Sequence, residues 1–272
     1  MEKTSYMRSR IWLEEPEPNN AFAFRAAYCR GYDVYGEMLG NAGWVDMLYL
    51  LFKGEAPSRA QAATLEILAV ALANPGPRDA SVHAAMCAGV GGSPAAAVLT
   101  AALAVGAGGA GGARELFRAM QAWRTCGKSL DAWKLHFAEQ ATRRAGQGEE
   151  PLDVWPAAEH PSGFDPLGVE TSTPVRQALA CLAALDLDSR CAWLQASLSG
   201  MEQGAGHPLS FVGVAAAAFA DLGMLPEEGE MLFLLLRLPG AAAHALEQRA
   251  LGHKQFPFYE LELEGTIGGA TE

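Results

Sequence analysis

Residues 41–77 read NAGWVDMLYLLFKGEAPSRAQAATLEILAVALANPGP, and this stretch decides the fold class. Its first part sets Trp44, Met47, Leu48 and Leu51 at i, i+3, i+4 and i+7, the spacing that gathers four side chains on one buried face of a helix over 41–52. Gly54 and Pro57 close that helix. Ser58 then supplies an N-cap for a second helix over 58–73, and Asn74-Pro75-Gly76-Pro77 cannot continue it. Two short helices with hard stops between them predict layers of helix packed on helix.

The same pattern recurs outward from this pair. Helices are expected over 79–89, 94–105, 113–123, 130–145, 173–185, 189–203, 211–222, 226–236 and 240–251. Strand signals are nearly absent; only 256–265, FPFYELELEG, reads as a short strand or extended arm. Residues 146–169 are the least regular, with Pro151, Pro156, Pro161 and Pro166 every five residues, and a long loop inside a helical protein is more often functional than a linker.

The chain has 272 residues, 50% of them hydrophobic, with 20 Lys and Arg against 31 Asp and Glu, a formal charge of -11. That composition supports one large domain or two small ones and excludes disorder. An isoelectric point of about 5.0 excludes nucleic acid or an anionic membrane as the main partner, since neither is held without a basic face. Residues 80–113 lack Asp, Glu, Lys and Arg, yet eight glycines and Pro94 among alanines predict closely packed helices, not a membrane span. The N-terminus mixes Lys3, Arg8, Arg10, Glu14 and Glu15 with no apolar run, so no secretion signal is expected. Cys29, Cys87, Cys126, Cys181 and Cys191 follow neither metal-ligand nor disulfide spacing. Reduced thiols, no metal and a cytoplasmic location are the expectation.

Chemistry-bearing residues are sparse. Gly106 to Gly111, GAGGAG, matches the dinucleotide fingerprint in letters, but no strand precedes it and no βαβ alternation surrounds it. Those glycines suit close backbone packing, or an anion at the start of the helix that follows. His83, His136 and His244 read as helix-surface histidines, while His160 and His207 sit beside Gly or Pro in loops, where function is commoner. Arg237 interrupts the apolar run MLFLLLRLPG, so its guanidinium requires a carboxylate from the protein or from a ligand. Within the chain, Glu159 or Asp165 is the partner that competes with a ligand for it.

Several blocks together resemble the citrate synthase superfamily, in particular its citryl-CoA lyase-like branch. Arg30-Gly31-Tyr32-Asp33 followed by MLYLLFKGEAP (47–57) resembles the family's RGYD and following helical block, and Gly111-Gly112-Ala113 resembles the end of its GPxHGGA block. Pro156-Ala157-Ala158-Glu159-His160-Pro161 with Asp165-Pro166 resembles PGfGHP…DPR. PLSFVG (208–213), DLG (221–223) and Arg237-Leu238-Pro239-Gly240 with Ala243, His244 and Glu247 complete the series in order.

The resemblance implies an all-α, two-domain homodimer, with a large domain over 1–112 plus 223–272, a small domain over 113–222, and an active-site cleft between them. It implies CoA or acyl-CoA as ligand, held by the loop Pro156, Ala157, Ala158 and Glu159, with His160 and Arg237 facing the substrate. It also exposes departures. The family's enol-stabilising histidine falls at Ala110, its carboxylate base at Val212, the arginine of DPR at Leu167, a C-terminal arginine at about Phe256, and a further histidine at Pro75. Ordinary citrate synthesis is therefore not expected. Two readings stay open: a non-catalytic or regulatory acyl-CoA binder, alone or paired with an active relative, and an acyltransferase or C–C lyase that works on a less charged substrate with His160, His207, Ser210 or Asp165.

Overall fold

The computed structural model describes residues 7–146, 160–257 and 259. It opens with a three-stranded antiparallel sheet, β1 (Trp12–Glu17), β2 (Asn20–Cys29) and β3 (Tyr32–Asp33), in the order β1-β2-β3. The sequence reading expected almost no strand, so this hairpin is a correction. Its cause is local: β2 buries only Ala27 and Cys29, and Glu14, Glu15, Glu17 and Arg25 charge the rest. A strand with so few inward side chains carries little period-2 signal. Arg30 and Gly31 both adopt positive φ, 52° and 95°, and turn β2 into β3. Arg30 then donates through Nη2 to the carbonyl of Leu51, and Asp33 caps a π-helical turn over Val34–Met38. Both ends of the RGYD block thus have structural duties.

The remainder of the described chain is helical: α1 (Trp44–Lys53), α2 (Arg59–Leu72), α3 (Ala80–Val90), α4 (Ala95–Gly106), α5 (Ala113–Cys126), α6 (Leu130–Gly146), α7 (Thr173–Ala183), α8 (Arg190–Ala196), α9 (Leu198–Ala205), α10 (Phe211–Asp221) and α11 (Pro226–Leu251). The caps follow the sequence. Asp46 accepts from the Gly43 amide at the start of α1, and Gly54, with φ 82°, ends it. Ser58 and Gln61 form a reciprocal capping box at α2. The buried face of α1 is Val45, Leu48, Tyr49 and Leu50, whereas Trp44 is 70% exposed. Both residue sets have helical spacing and both are apolar, so periodicity alone could not choose between them.

A large apolar cluster joins α1, α2 and α5 through α11; a smaller one, of Val82, Ala85, Met86, Val98, Ala102, Ala241 and Ala245, joins α3 and α4 to the second half of α11. Residues 80–113 therefore form packed helices, as their alanines and glycines predict. No helix among the described residues is long and apolar enough to cross a membrane.

Two expected helices merge and one divides. The segments 226–236 and 240–251 form the single helix α11, which runs through Pro239. Proline removes one helical donor, and the next amide, that of Gly240, turns to the carbonyl of Ala73 at the end of α2, 2.7 Å away. The expected helix 189–203 instead breaks at Ser197 into α8 and α9. The extended arm beginning at Phe256 lies mostly outside the described residues; Phe256 itself stacks on His83 at a ring separation of 5.7 Å.

Two outcomes follow from this packing. A side chain at Gly240 would place Cβ 2.7 Å from Asn74 Cα. Gly240→Ala should therefore lower unfolding free energy by about 1–3 kcal/mol, read from the shift in urea midpoint; an unchanged midpoint would show that α11 and α2 do not need this approach. Cys87 and Cys181 are exposed, whereas Cys29, Cys126 and Cys191 are buried. Burial pushes all three buried thiols up, and for Cys191 the Asp221 carboxylate adds to it. Thiol titration should find two fast-reacting groups in the native protein and the other three only after unfolding.

Candidate active-site cleft

The turn between α4 and α5 is built by the glycines of the GAGGAG stretch. Gly106 is the last residue of α4, so a helix, not a strand, precedes the turn, and the dinucleotide fingerprint lacks its required setting. Gly111 takes φ 69°, and a Cβ on Gly112 would meet the carbonyl of Gly106 at 2.7 Å. The chain can therefore fold tightly into the start of α5. There, the amide of Gly111 donates to Glu115 Oε2 at 2.6 Å.

A second segment faces this turn. Residues 160–168 are fixed against the start of α10 by the bridge Phe164↔Leu209, by the Asp165 amide on the Pro208 carbonyl at 2.8 Å, and by the Ser210 amide on the Gly163 carbonyl at 3.0 Å. Gly163 and Gly213 meet backbone to backbone, a contact that admits no side chain on either. The Gly163 amide donates to Glu115 Oε1 at 2.8 Å. Glu115 is only 2% exposed, and it joins the two loops by accepting one amide from each.

Arg237 is the cationic counterpart. It lies midway along α11, 6% exposed, with its guanidinium 4.7 Å over the ring of Phe233. Nη1 donates to the Gly111 carbonyl at 3.2 Å and Nη2 to Asp79 Oδ2. Burial lowers the arginine's proton affinity, and the charge and hydrogen bond of Asp79 oppose that shift. Asp79 is held in turn, because its Oδ1 caps α3 by accepting from the Ser81 amide at 2.9 Å and the Val82 amide at 3.4 Å. The expected partner was Glu159 or Asp165. Asp165 instead accepts the Leu167 amide at 2.9 Å, and Glu159 lies outside the described residues. Asp79 prevails because the α3 cap already points its second oxygen at α11.

Between these elements opens a cleft of about 590 Å³. Pro75, Ala110, Leu167 and Val212, four of the five positions where the resemblance expects a charged or imidazole group, line it together with His160, Arg237, Asp165 and Ser210. One wall is drawn from 71–111 and α11, the other from 115–212. His207 and Phe256 are not on the lining, although the His207 ring centroid stands 6.3 Å from that of His160. Pro156, Ala157, Ala158 and Glu159, the expected CoA loop, lie outside the described residues.

His160 is 6% exposed, with Nε2 3.5 Å from Glu115 Oε1 and Nδ1 buried without a hydrogen-bond partner. Sequence reasoning missed Glu115 and Asp79. The helix-start position of Asp79, between Pro77 and an alanine-rich run, is a signal for a cap that the sequence reading did not use, and nothing in the sequence placed it opposite Arg237. Among the described residues, no cluster of three or more His, Cys, Asp or Glu could hold a metal ion.

The arrangement of these elements is similar to that in solved citryl-CoA and ATP citrate lyases. The chain superimposes on citryl-CoA lyase from Hydrogenobacter thermophilus with a TM-score of 0.72 at 18% identity, covering 98% of this chain and 97% of that one. ATP citrate lyase from Methanothrix soehngenii, in complex with citrate and coenzyme A, gives 0.69 at 17% identity over 99% of this chain and 44% of that one. ATP citrate lyase from Methanosaeta concilii, in complex with citryl-CoA, gives 0.68 at 16% over 97% and 43%. The chain thus spans less than half of the ATP citrate lyases. No protein-family model matches the sequence, and no curated protein matches it.

The two amides on Glu115 make a test of the site's construction. Glu115→Ala would strand both in a buried setting and should cost roughly 2–4 kcal/mol of stability; Glu115→Gln, whose one oxygen can accept only one of the two amides, should recover only part of that loss. Equal losses in thermal or urea unfolding would mean that the amides find other acceptors.

Proposed function

We propose that this chain is a citryl-CoA lyase-like member of the citrate synthase superfamily that binds CoA or an acyl-CoA and does not carry out citrate chemistry. The observation that carries the proposal is the shared location of Pro75, Ala110, Leu167 and Val212 on one cleft with His160 and Arg237. Condensation or cleavage of citryl-CoA calls for a base at the carbon next to the thioester, a donor for the developing enolate and cations for the carboxylates. Val212 cannot remove a proton, Ala110 cannot donate one, and Leu167 cannot pair with a carboxylate. Loss of a general base costs on the order of 10²- to 10⁴-fold, and loss of an enolate donor about 10²- to 10³-fold more. CoA binding rests on different groups: the neighbouring folds include lyases complexed with coenzyme A or citryl-CoA, and the loop around Pro156 to Glu159 resembles the one with which the family holds CoA through backbone atoms.

A second reading is favoured by one feature, the unpartnered Nδ1 of His160 beside buried Glu115. Such a pair suits an acyl-CoA acyltransferase or C–C lyase acting on a less charged substrate. Both readings place the ligand between a large domain, 1–112 plus 223–272, and a small one, 113–222. Both include a homodimer, or a heteromer with an active relative, that covers the exposed Met231, Leu235 and Leu246 of α11.

Calorimetric titration with CoA, acetyl-CoA and longer acyl-CoAs should show saturable heat that disappears when the 156–161 loop is replaced. No free thiol should appear with acetyl-CoA and oxaloacetate, and Ala110→His with Val212→Asp should not restore it, because Leu167 still lacks a cation. Absence of heat and of any melting shift at saturating CoA would refute the binding proposal; citrate formation by the unaltered protein would refute the loss of citrate chemistry.

A further inference from the structure

The groups best suited to hold an anion in the cleft are already engaged by carboxylates of the chain itself. Arg237 has its fork on Asp79 Oδ2 and the Gly111 carbonyl. The amide of Gly111, at the positive end of α5, is taken by Glu115, and so is that of Gly163. Three carboxylates, from Asp79, Glu115 and Asp165, line the cleft against one guanidinium. A ligand carboxylate entering it meets net negative charge and an arginine whose strongest bonding direction is filled.

We propose that Asp79 stands in for a ligand carboxylate on Arg237 and thereby sets the specificity of the cleft, which admits an uncharged group in preference to a carboxylate. The acyl-CoA part of this statement rests on the function proposed above; the occupation of Arg237 does not. Asp79 is pre-positioned, since its Oδ1 is committed to the α3 cap and its Oδ2 is thereby aimed at the arginine. An intramolecular carboxylate fixed at hydrogen-bond distance competes at an effective concentration that a free ligand does not reach in dilute solution. Leu72, Phe164, Leu167, Val212 and Phe233 give the wall apolar surface, which suits a ligand group without charge.

The test uses the full chain and Asp79→Asn, which keeps an oxygen for the cap and removes the charge. Melting temperature and calorimetric affinity are measured with acetate, succinate and citrate, with acetamide as the neutral control and chloride used to hold ionic strength constant. The unaltered protein should respond to carboxylates no more than to chloride. Asp79→Asn should melt lower, because it strands a buried guanidinium, and carboxylates but not acetamide should restore it, with affinity at least about tenfold above that of the unaltered protein. Adding Arg237→Met should abolish the gain. If Asp79→Asn does not fold, Asp79→Ser, which retains a capping hydroxyl, takes its place. A carboxylate response equal to that of the unaltered protein, or a gain that survives Arg237→Met, overturns the inference. A separate arm compares propionyl-CoA with succinyl-CoA on the unaltered protein: a preference of about tenfold for the neutral acyl group is expected, and equal or reversed affinity overturns the specificity. If neither thioester binds, the CoA reading falls while the carboxylate arm still decides the role of Asp79.

Discussion

A guanidinium buried midway along the longest helix has to be neutralised within the protein, and much of the architecture around the cleft can be traced from that requirement. Arg237 reaches Asp79 at the cap of α3 and the carbonyl of Gly111 in the α4–α5 turn. The other side of the Gly111 peptide, its amide, goes to Glu115, and Glu115 also receives the amide of Gly163. One continuous polar path thus runs from α3 through α11, the glycine turn and α5 to the loop that carries His160. Removing one member of such a path exposes the desolvation cost of its neighbours, which is why buried ion pairs are more damaging to break than they are stabilising to make.

The cleft is therefore shaped by two kinds of group that behave differently under substitution. Its walls are set by backbone contacts, such as the Gly163–Gly213 approach and the Phe164↔Leu209 bridge, and these demand only small residues or none. Its chemistry would be set by side chains, and at Pro75, Ala110, Leu167 and Val212 those are apolar. The form of the pocket and its charge pattern are thus set by different groups. Charges of both signs are absent together, which is the combination a low-dielectric site tolerates: a lone base or a lone arginine would have been left unpaired.

The helical body was legible because its boundaries are chemical: Ser58 with Gln61, Asp79, and Gly54 mark ends that folding respects. The hairpin was not, because a sheet that buries two residues of β2 leaves no alternation to read. The sequence reading stops one helix before Pro239 and starts the next after it for a sound local reason, but the helix continues, and the Gly240 amide finds the Ala73 carbonyl 167 residues earlier in the chain. Within the site, Arg237 was recognisable as a buried charge amid leucines, and His160 from its loop and motif. Asp79 and Glu115 were invisible as site residues, since their importance comes from which other loops they meet. Sequence separation hides such partnerships: Asp79 and Arg237 are 158 positions apart.

Because the polar path also fastens the helices, the charge pattern of the cleft and the stability of the fold depend on the same bonds. A catalytic carboxylate added at Val212 would enter a cleft that already holds Asp79, Glu115 and Asp165, and mutual repulsion would raise its proton affinity and weaken its neighbours' pairing. Freeing Arg237 for a substrate means removing Asp79, which also caps α3. Added charges thus come at a cost here: each addition either crowds like charges or dismantles a structural bond. An uncharged ligand faces neither obstacle. It can place apolar surface on Leu167, Val212 and Phe233 without disturbing the path from Asp79 to Gly163, so the physical cost of occupancy is lowest for the class of molecule that carries no carboxylate at this end.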